Sequence, residues 1–384
     1  MELNIGLFTE IAKYSNLDTI HSLLMCCKQH NGYQNNISLL KELKYMKLIE
    51  NCEITVNNAA RYGHINVLDW LHNSQYEFNY SEYAIDSVSI NGHINILEWF
   101  HNSKYEFKYS KYAINNAAEY GHINVLEWFH NSSYKFMYSK RAIDWAAQNG
   151  YINVLDWFHN SDYEFKYSKH AINNAAKYGH INVLEWFHNS DYEFKYSNIA
   201  IDWAAKYSHI NVLEWFHMSR RLNQRGETSG NSDYEFKFKY SKYAINLAAK
   251  NGHINVLEWF HNSQHEFKYS ADAINWAAEN GHINILEWFN NSKYEFKYSD
   301  YAIDLAASHG HINVLDWFSE SKYEFKYSDY AIDLAASHGH INVLDWFSAS
   351  KYEFKYSKRA INNAAKNSHK NVLDWLDEHN YSTL

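Results

Sequence analysis

The chain has 384 residues and sets 35 Lys and Arg against 44 Asp and Glu, a formal net charge of −9 at pH 7. That balance excludes a general nucleic-acid or anionic-membrane footprint, and three cysteines, Cys26, Cys27 and Cys52, provide neither a disulfide framework nor a CxxC zinc pair. No window approaches the ~18 consecutive apolar residues of a membrane helix, and Met1-Glu2-Leu3-Asn4 opens without a basic-then-apolar secretory run; the expectation is a cytoplasmic or nuclear protein, not secreted.

Residues 1 to about 50 stand apart from the rest of the chain. Leu7-Phe8-Thr9-Glu10-Ile11, Asn16-Leu17-Asp18, Leu23-Leu24 and Cys26-Cys27-Lys28 place leucines at helical spacing, and Ile37 to Ile49 is amphipathic. Such a segment serves as a helical cap for the array behind it. The same residues resemble an F-box, in which a Leu-Pro-x-Glu-Ile opening, a Leu-x-x-Leu run and a late Cys-Lys dock onto the Skp-type adaptor of cullin ubiquitin ligases. The resemblance implies docking through Leu7, Glu10, Ile11, Leu17, Leu23 and Leu24, although Phe8 stands where that family has proline. Cap and F-box both remain open at this point.

From residue 51 the phrase Gly-His-Ile-Asn-Val-Leu-Glu-Trp-Phe recurs with small changes. Its second position falls at His64, His93, His122, Tyr151, His180, His209, His253, His282, His311, His340 and His369. Every step is 29 residues except the 44 between His209 and His253, which is 29 plus an insertion of 15. The chain therefore carries eleven repeats, and a period of this length marks stacked supersecondary units.

One repeat, Ser110 to Ser139, shows the logic. Ser110 is an N-cap residue. Lys111 to Tyr120 reads as a short helix with Ala113, Ile114, Ala117 and Ala118 on one face, and Gly121 ends it where a left-handed residue is needed. A second helix runs from about His122 to His130, with Ile123, Leu126 and Phe129 at helical spacing beside Val125 and Trp128. Tyr134-Lys135-Phe136-Met137-Tyr138 alternates aromatic and mostly polar residues, the pattern of an extended connector. Helices ~14 Å long cannot hide their apolar faces alone. Stacking copies gives each Ile, Leu, Trp and Phe a neighbour, contributing on the order of 1.5–3 kcal/mol per fully buried side chain before entropy.

Ile114-Asn115-Asn116-Ala117-Ala118-Glu119-Tyr120-Gly121-His122-Ile123 resembles the ankyrin core, where a first helix ends in Ala-Ala, two variable residues and Gly-His. Asn124-Val125-Leu126-Glu127-Trp128-Phe129 then sits where the second ankyrin helix places its apolar run. The likeness covers all eleven repeats, with departures: Tyr112-Ala113 replaces the usual Thr-Pro, and the period is 29 rather than ~33. Short-repeat ankyrin arrays rich in Asn and Tyr are similar to those encoded by giant DNA viruses of amoebae. The expected fold is an all-α, ankyrin-like helical repeat solenoid over residues 51–384, with a flexible insertion at about 220–232 and a short helical N-terminal segment over 1–50. Ser368 and Lys370, replacing Gly and Ile, mark the last repeat as a polar-faced cap.

The chemistry-bearing rows resolve into structure. Histidines at this position recur in ten of the eleven repeats, ~8–10 Å apart if helices pack normally, too far to share a metal ion at Zn–N distances near ~2.0–2.1 Å. The acidic row Asp69, Glu98, Glu127, Asp156, Glu185 reads as a solvated helix face, since equivalent positions do not make the unequal carboxylate pair of a hydrolase. No nucleophile constellation or phosphate loop occurs, so no enzyme, cofactor or metal is assigned.

Binding remains. Second helices are nearly constant, whereas first helices vary: Asn116 becomes Trp145, Trp203 or Leu247; Tyr120 becomes Asn149 or His309; Lys111-Tyr112 becomes Lys140-Arg141. The ankyrin resemblance implies that these positions line the concave, partner-holding face. The residues singled out are Tyr112, Asn116, Tyr120, Arg141, Trp145, Trp203, Tyr207 and Trp276, types that make interaction hot spots. The partner is a protein of unknown identity under this reading, and a Skp-type adaptor as well under the F-box one.

Overall fold

The computed structural model describes residues 52–73, 78–225 and 238–381, and among these it holds 22 helices and no strand. The helices come in pairs at the 29-residue period, the predicted helical repeat solenoid. The N-terminal segment, with Leu7, Glu10, Ile11, Leu17, Leu23 and Leu24, lies outside the described residues. Two compact units divide the chain: Met1–Ala146 with Tyr151–Tyr167, and Ala147–Gly150 with Ser168–Leu384. Repeats 1–4 belong largely to the first and repeats 5–11 to the second.

Repeat 3 stands for the rest. Its first helix is Lys111–Glu119 and its second Ile123–Asn131. The Ser110 hydroxyl accepts the Tyr112 N–H at 3.1 Å, the N-cap the sequence predicts. At the other end, Gly121 takes φ +76°. The His122 N–H then bonds the Ala117 carbonyl at 2.8 Å and the Gly121 N–H that of Ala118 at 3.3 Å. This is the paired 6→1 and 5→2 closure that satisfies the orphan carbonyls of a helix end. It also turns the chain at once into the second helix.

Ala113, Ile114, Ala117 and Ala118 of the first helix are buried, as are Val125, Leu126 and Phe129 of the second. Ile123 and Trp128, expected in the core, are half-buried: Val125, Leu126 and Phe129 define the inward stripe, and these two flank it. Within each unit, successive first helices pack far more intimately than successive second helices. Alanine pairs let the first helices approach, while Trp and Phe hold the second helices apart. The row of first helices is therefore the tighter side of the stack.

The insertion leaves this packing intact. The second helix of repeat 6 runs from Ile210 to Arg225, well past His217, and 226–237 lie outside the described residues. The first helices of repeats 6 and 7 nonetheless pack like any other neighbours, because the extra chain leaves from the second-helix side.

Candidate functional site

The constant polar residues join one repeat to the next. In the middle of each first helix of repeats 1–10 stands a buried Asp or Asn, and it reaches the serine that opens the following repeat in the bonds below. Asp86 accepts the Ser110 N–H at 2.9 Å and the Ser110 hydroxyl at 2.6 Å. Asn115 accepts the Ser139 N–H at 3.0 Å and donates its amide to the Ser139 hydroxyl at 3.0 Å. One serine thus caps its own helix and locks it to its predecessor. Sequence reasoning recognised the cap and missed the lock.

The glycine–histidine phrase is a joint of the same kind. Gly92 has φ +68°, and a Cβ there would come within 2.7 Å of His122 Nδ1. His122 Nε2 donates to the Ile90 carbonyl at 2.9 Å, closing an open carbonyl in the last turn of the preceding first helix. Glycine is required twice over, for the left-handed turn and for room to seat the next imidazole. Tyr151 fills the equivalent slot against Gly121.

On the second-helix side the contacts are aromatic. Phe107 stacks on Tyr134 of the next connector at 4.2 Å between centroids and on Trp128 at 5.4 Å; Phe296 repeats this with Tyr323 at 4.0 Å. His72, His101, His130 and His261, near the ends of their second helices, each meet a connector tyrosine, as in His130 Nδ1 to Tyr163 hydroxyl, 3.1 Å; in repeats 8–10 Asn290, Ser319 and Ser348 take that place. The acidic row is exposed, yet it does more than face water. Indole N–H groups of the following repeat bond it, Trp99 to Asp69 and Trp346 to Asp316, each at 2.6 Å. Among the described residues, no three or more His, Cys, Asp or Glu side chains are grouped so as to hold a metal ion, and no helix is long and apolar enough to cross a membrane.

One joint departs from the pattern. Next to the insertion, His265 replaces the connector tyrosine, its Nε2 lying 2.9 Å from His217 Nδ1 while its ring stacks on Phe238 at 3.9 Å.

Burial holds His180, His253, His282, His311 and His340 below the ordinary imidazole range, His309 adding to the effect at His311, and His338 with His309 at His340. A folded-state pKa below the unfolded one gives stability that is complete above ~6.5 and is lost as pH falls through the folded value. Asp86, Asp202 and Asp304 are raised by burial, so their protonation favours the fold at lower pH, toward ~3.8. The melting temperature should therefore drop between about pH 7.5 and 5.5 and level off below. A flat profile across that first interval would count the histidine joints out as titrating elements.

The variable positions lie on the first helices. In the first unit, Tyr112 and Tyr120 are exposed. Arg141 donates to the Tyr112 hydroxyl at 3.3 Å and sits 5.4 Å from the Trp145 ring centroid. Asn116 is half-buried and donates to the Asp86 carbonyl at 2.9 Å, so it serves a joint. In the second unit, Trp203 lies beneath Lys177 at 5.0 Å, Tyr207 beneath Lys206 at 5.0 Å and Trp276 beneath Lys250 at 5.4 Å. Those lysines were not singled out from the sequence. The signal was present: they share one column, occupied by Glu119, Gln148 and Ser308 elsewhere.

The family model for ankyrin repeats (many copies) matches residues 303–347, which span repeats 9 and 10. Among solved structures, the pentatricopeptide repeat protein PPR10 from maize aligns at 10% identity with a TM-score of 0.37, covering 91% of this chain and 57% of that one. No curated protein matches.

Proposed function

We propose that this ankyrin-like repeat protein is a non-catalytic interaction scaffold, holding a partner protein on the face formed by its first helices. One observation carries the reading. Among the described residues, every exposed large apolar side chain except Met218 belongs to a first helix or its terminal cap, Tyr83, Tyr178, Tyr243, Tyr301 and Tyr330 among them. Connectors, second helices and the buried first-helix Asp and Asn engage the next repeat, which leaves the exposed first-helix positions to vary. Exposed tyrosines alternating with half-buried tryptophans are suited to desolvating a partner.

The test uses the full chain as bait, with cross-linking to identify what it holds. Trp203→Ala with Tyr207→Ala should reduce capture of that partner about ten-fold or more while leaving the melting temperature within a few degrees. Undiminished capture would move the binding site elsewhere. A second reading, a substrate-recruiting F-box-type adaptor of a host cullin ligase, draws on Leu7, Glu10, Ile11, Leu17, Leu23 and Leu24. Recovery of a Skp-type adaptor and cullin, abolished by deleting residues 1–35, would favour it; their absence leaves the scaffold alone.

A further inference from the structure

We infer that the first-helix face of the second unit is matched to a partner segment whose charges come in blocks, acidic residues over repeats 5–7 and basic residues over repeats 8–10. The inference rests on the scaffold reading and adds the chemistry of the partner.

Charge on this face is segregated. In repeats 5–7 the first helices carry Lys169, Lys177, Lys206, Lys242 and Lys250. Their one carboxylate, Asp202, is buried and bonded to Ser241. In repeats 8–10 the sign reverses: Asp300 is exposed and Asp272, Glu279 and Asp329 are half-buried on the first helices and their caps, Asp272 accepting the Ser270 hydroxyl at 2.9 Å, and no Lys or Arg accompanies them within these repeats, although Arg359 of repeat 11 adds positive charge near Asp329. Elsewhere on the unit the sign does not alternate in blocks. Every second helix carries at least one acid, from Glu185 to Asp374, and connector lysines sit beside connector glutamates, as in Lys297 with Glu295 at 3.4 Å and Lys326 with Glu324 at 3.6 Å.

Lysines of the basic block lie against aromatic rings, one of which, Trp276, belongs to repeat 8. Lys177 lies over Tyr178 at 4.6 Å and over Trp203 at 5.0 Å, and Lys250 over Trp276 at 5.4 Å. Held against rings, these ammonium groups give up less side-chain freedom when they meet a carboxylate, and the rings supply apolar area beside it. Packed helices stand ~8–10 Å apart, so each three-repeat block spans roughly 20 Å and both together roughly 45 Å. An extended peptide covers that length with about 14 residues. A nucleic-acid strand would find its phosphates attracted over repeats 5–7 and repelled by four carboxylates over repeats 8–10. A charge-blocked polypeptide meets complementary charge along the whole path.

The experiment measures binding of a labelled peptide of about 14 residues, acidic in one half and basic in the other, to the full chain at about 50 mM salt. The control peptide has the same composition with alternating charges. The blocked peptide should bind about ten-fold more tightly or better, with the advantage fading at high salt. Lys177→Glu/Lys206→Glu/Lys250→Glu should remove that advantage, as should Glu279→Lys/Asp329→Lys; should the triple variant melt early, Lys→Gln at the same sites gives the same readout. Equal binding of the two peptides, indifference to both variants, tighter binding of single-stranded DNA of like length, or a salt-sensitive dimer of the chain itself would each overturn the inference. A captured partner released by Trp203→Ala/Tyr207→Ala but not by lysine reversal would overturn it while leaving the scaffold reading in place.

Discussion

Asp202→Ala is expected to cost about 1–3 kcal/mol of unfolding free energy, and Asp202→Asn less than about 1 kcal/mol. Asp202 is buried and accepts the Ser241 N–H at 2.8 Å, the Ser241 hydroxyl at 2.6 Å and the Asn198 amide at 3.1 Å. Alanine removes every acceptor and leaves the serine's donors without that partner in a part-buried joint. Asparagine keeps the shape, and the chain itself supplies the precedent: Asn173 and Asn246 hold Ser197 and Ser270 in the same way, each accepting the serine N–H at 3.0 Å. Only the bond from Asn198 becomes awkward, with two amides in place of amide and carboxylate. Because burial raises the Asp202 carboxyl, the wild type should gain on the Asn variant as pH falls toward ~3.8. Urea unfolding followed by tryptophan fluorescence, with hydrogen exchange over repeats 6 and 7, gives the answer. An alanine variant within about 1 kcal/mol of wild type would falsify the joint as a stabilising element.

The helix pair was legible because its signals are local. Ser110, the Ala117-Ala118 pair, Gly121 and the Val125–Phe129 run each specify something within a few residues, and the 29-residue period says that one repeat's answer holds for all. The joints were less legible because each links residues about one period apart. The Asp86–Ser110 lock spans 24 residues and the Trp99–Asp69 bond 30, separations at which no helical or strand periodicity reports. A trace existed in the columns themselves: the position of Asp86, Asn115, Asp202 and Asn246 alternates between two residues of one shape, each offering an oxygen acceptor. The acidic row looks merely solvated in the sequence because exposure and hydrogen bonding coexist there, and an exposed carboxylate gives no hint of the indole beside it. Of the candidate partner face, the sequence pointed to the aromatic residues through their variability. It did not point to Lys177, Lys206 or Lys250, whose role depends on rings in their own and following repeats. The turn histidines were correctly placed as structural elements, though not their seat against the preceding glycine.

Phe289→Ala tests the packing on the other side of the stack and should cost about 3–5 kcal/mol. Phe289 is 1% exposed and lies 5.3 Å from Tyr269 and 6.2 Å from Phe267, both on the connector of the preceding repeat. Truncation opens a cavity that neighbouring rings cannot fill without leaving their own stacks, Phe267 on Tyr294 at 4.0 Å above all. Trp288, the adjacent residue, is half-buried and stacks at 5.5 Å on Phe267; its replacement by alanine should cost less, about 1–3 kcal/mol, since its site opens to water. The spatial pattern matters as much as the size. Repeats that touch only their neighbours distribute stability as local and nearest-neighbour terms, so hydrogen-exchange protection should fall most over repeats 7–9 and recover toward repeat 11. A uniform loss across the whole second unit would instead mean that its repeats unfold as one cooperative block, and that the joints between them are stronger than the repeats they connect.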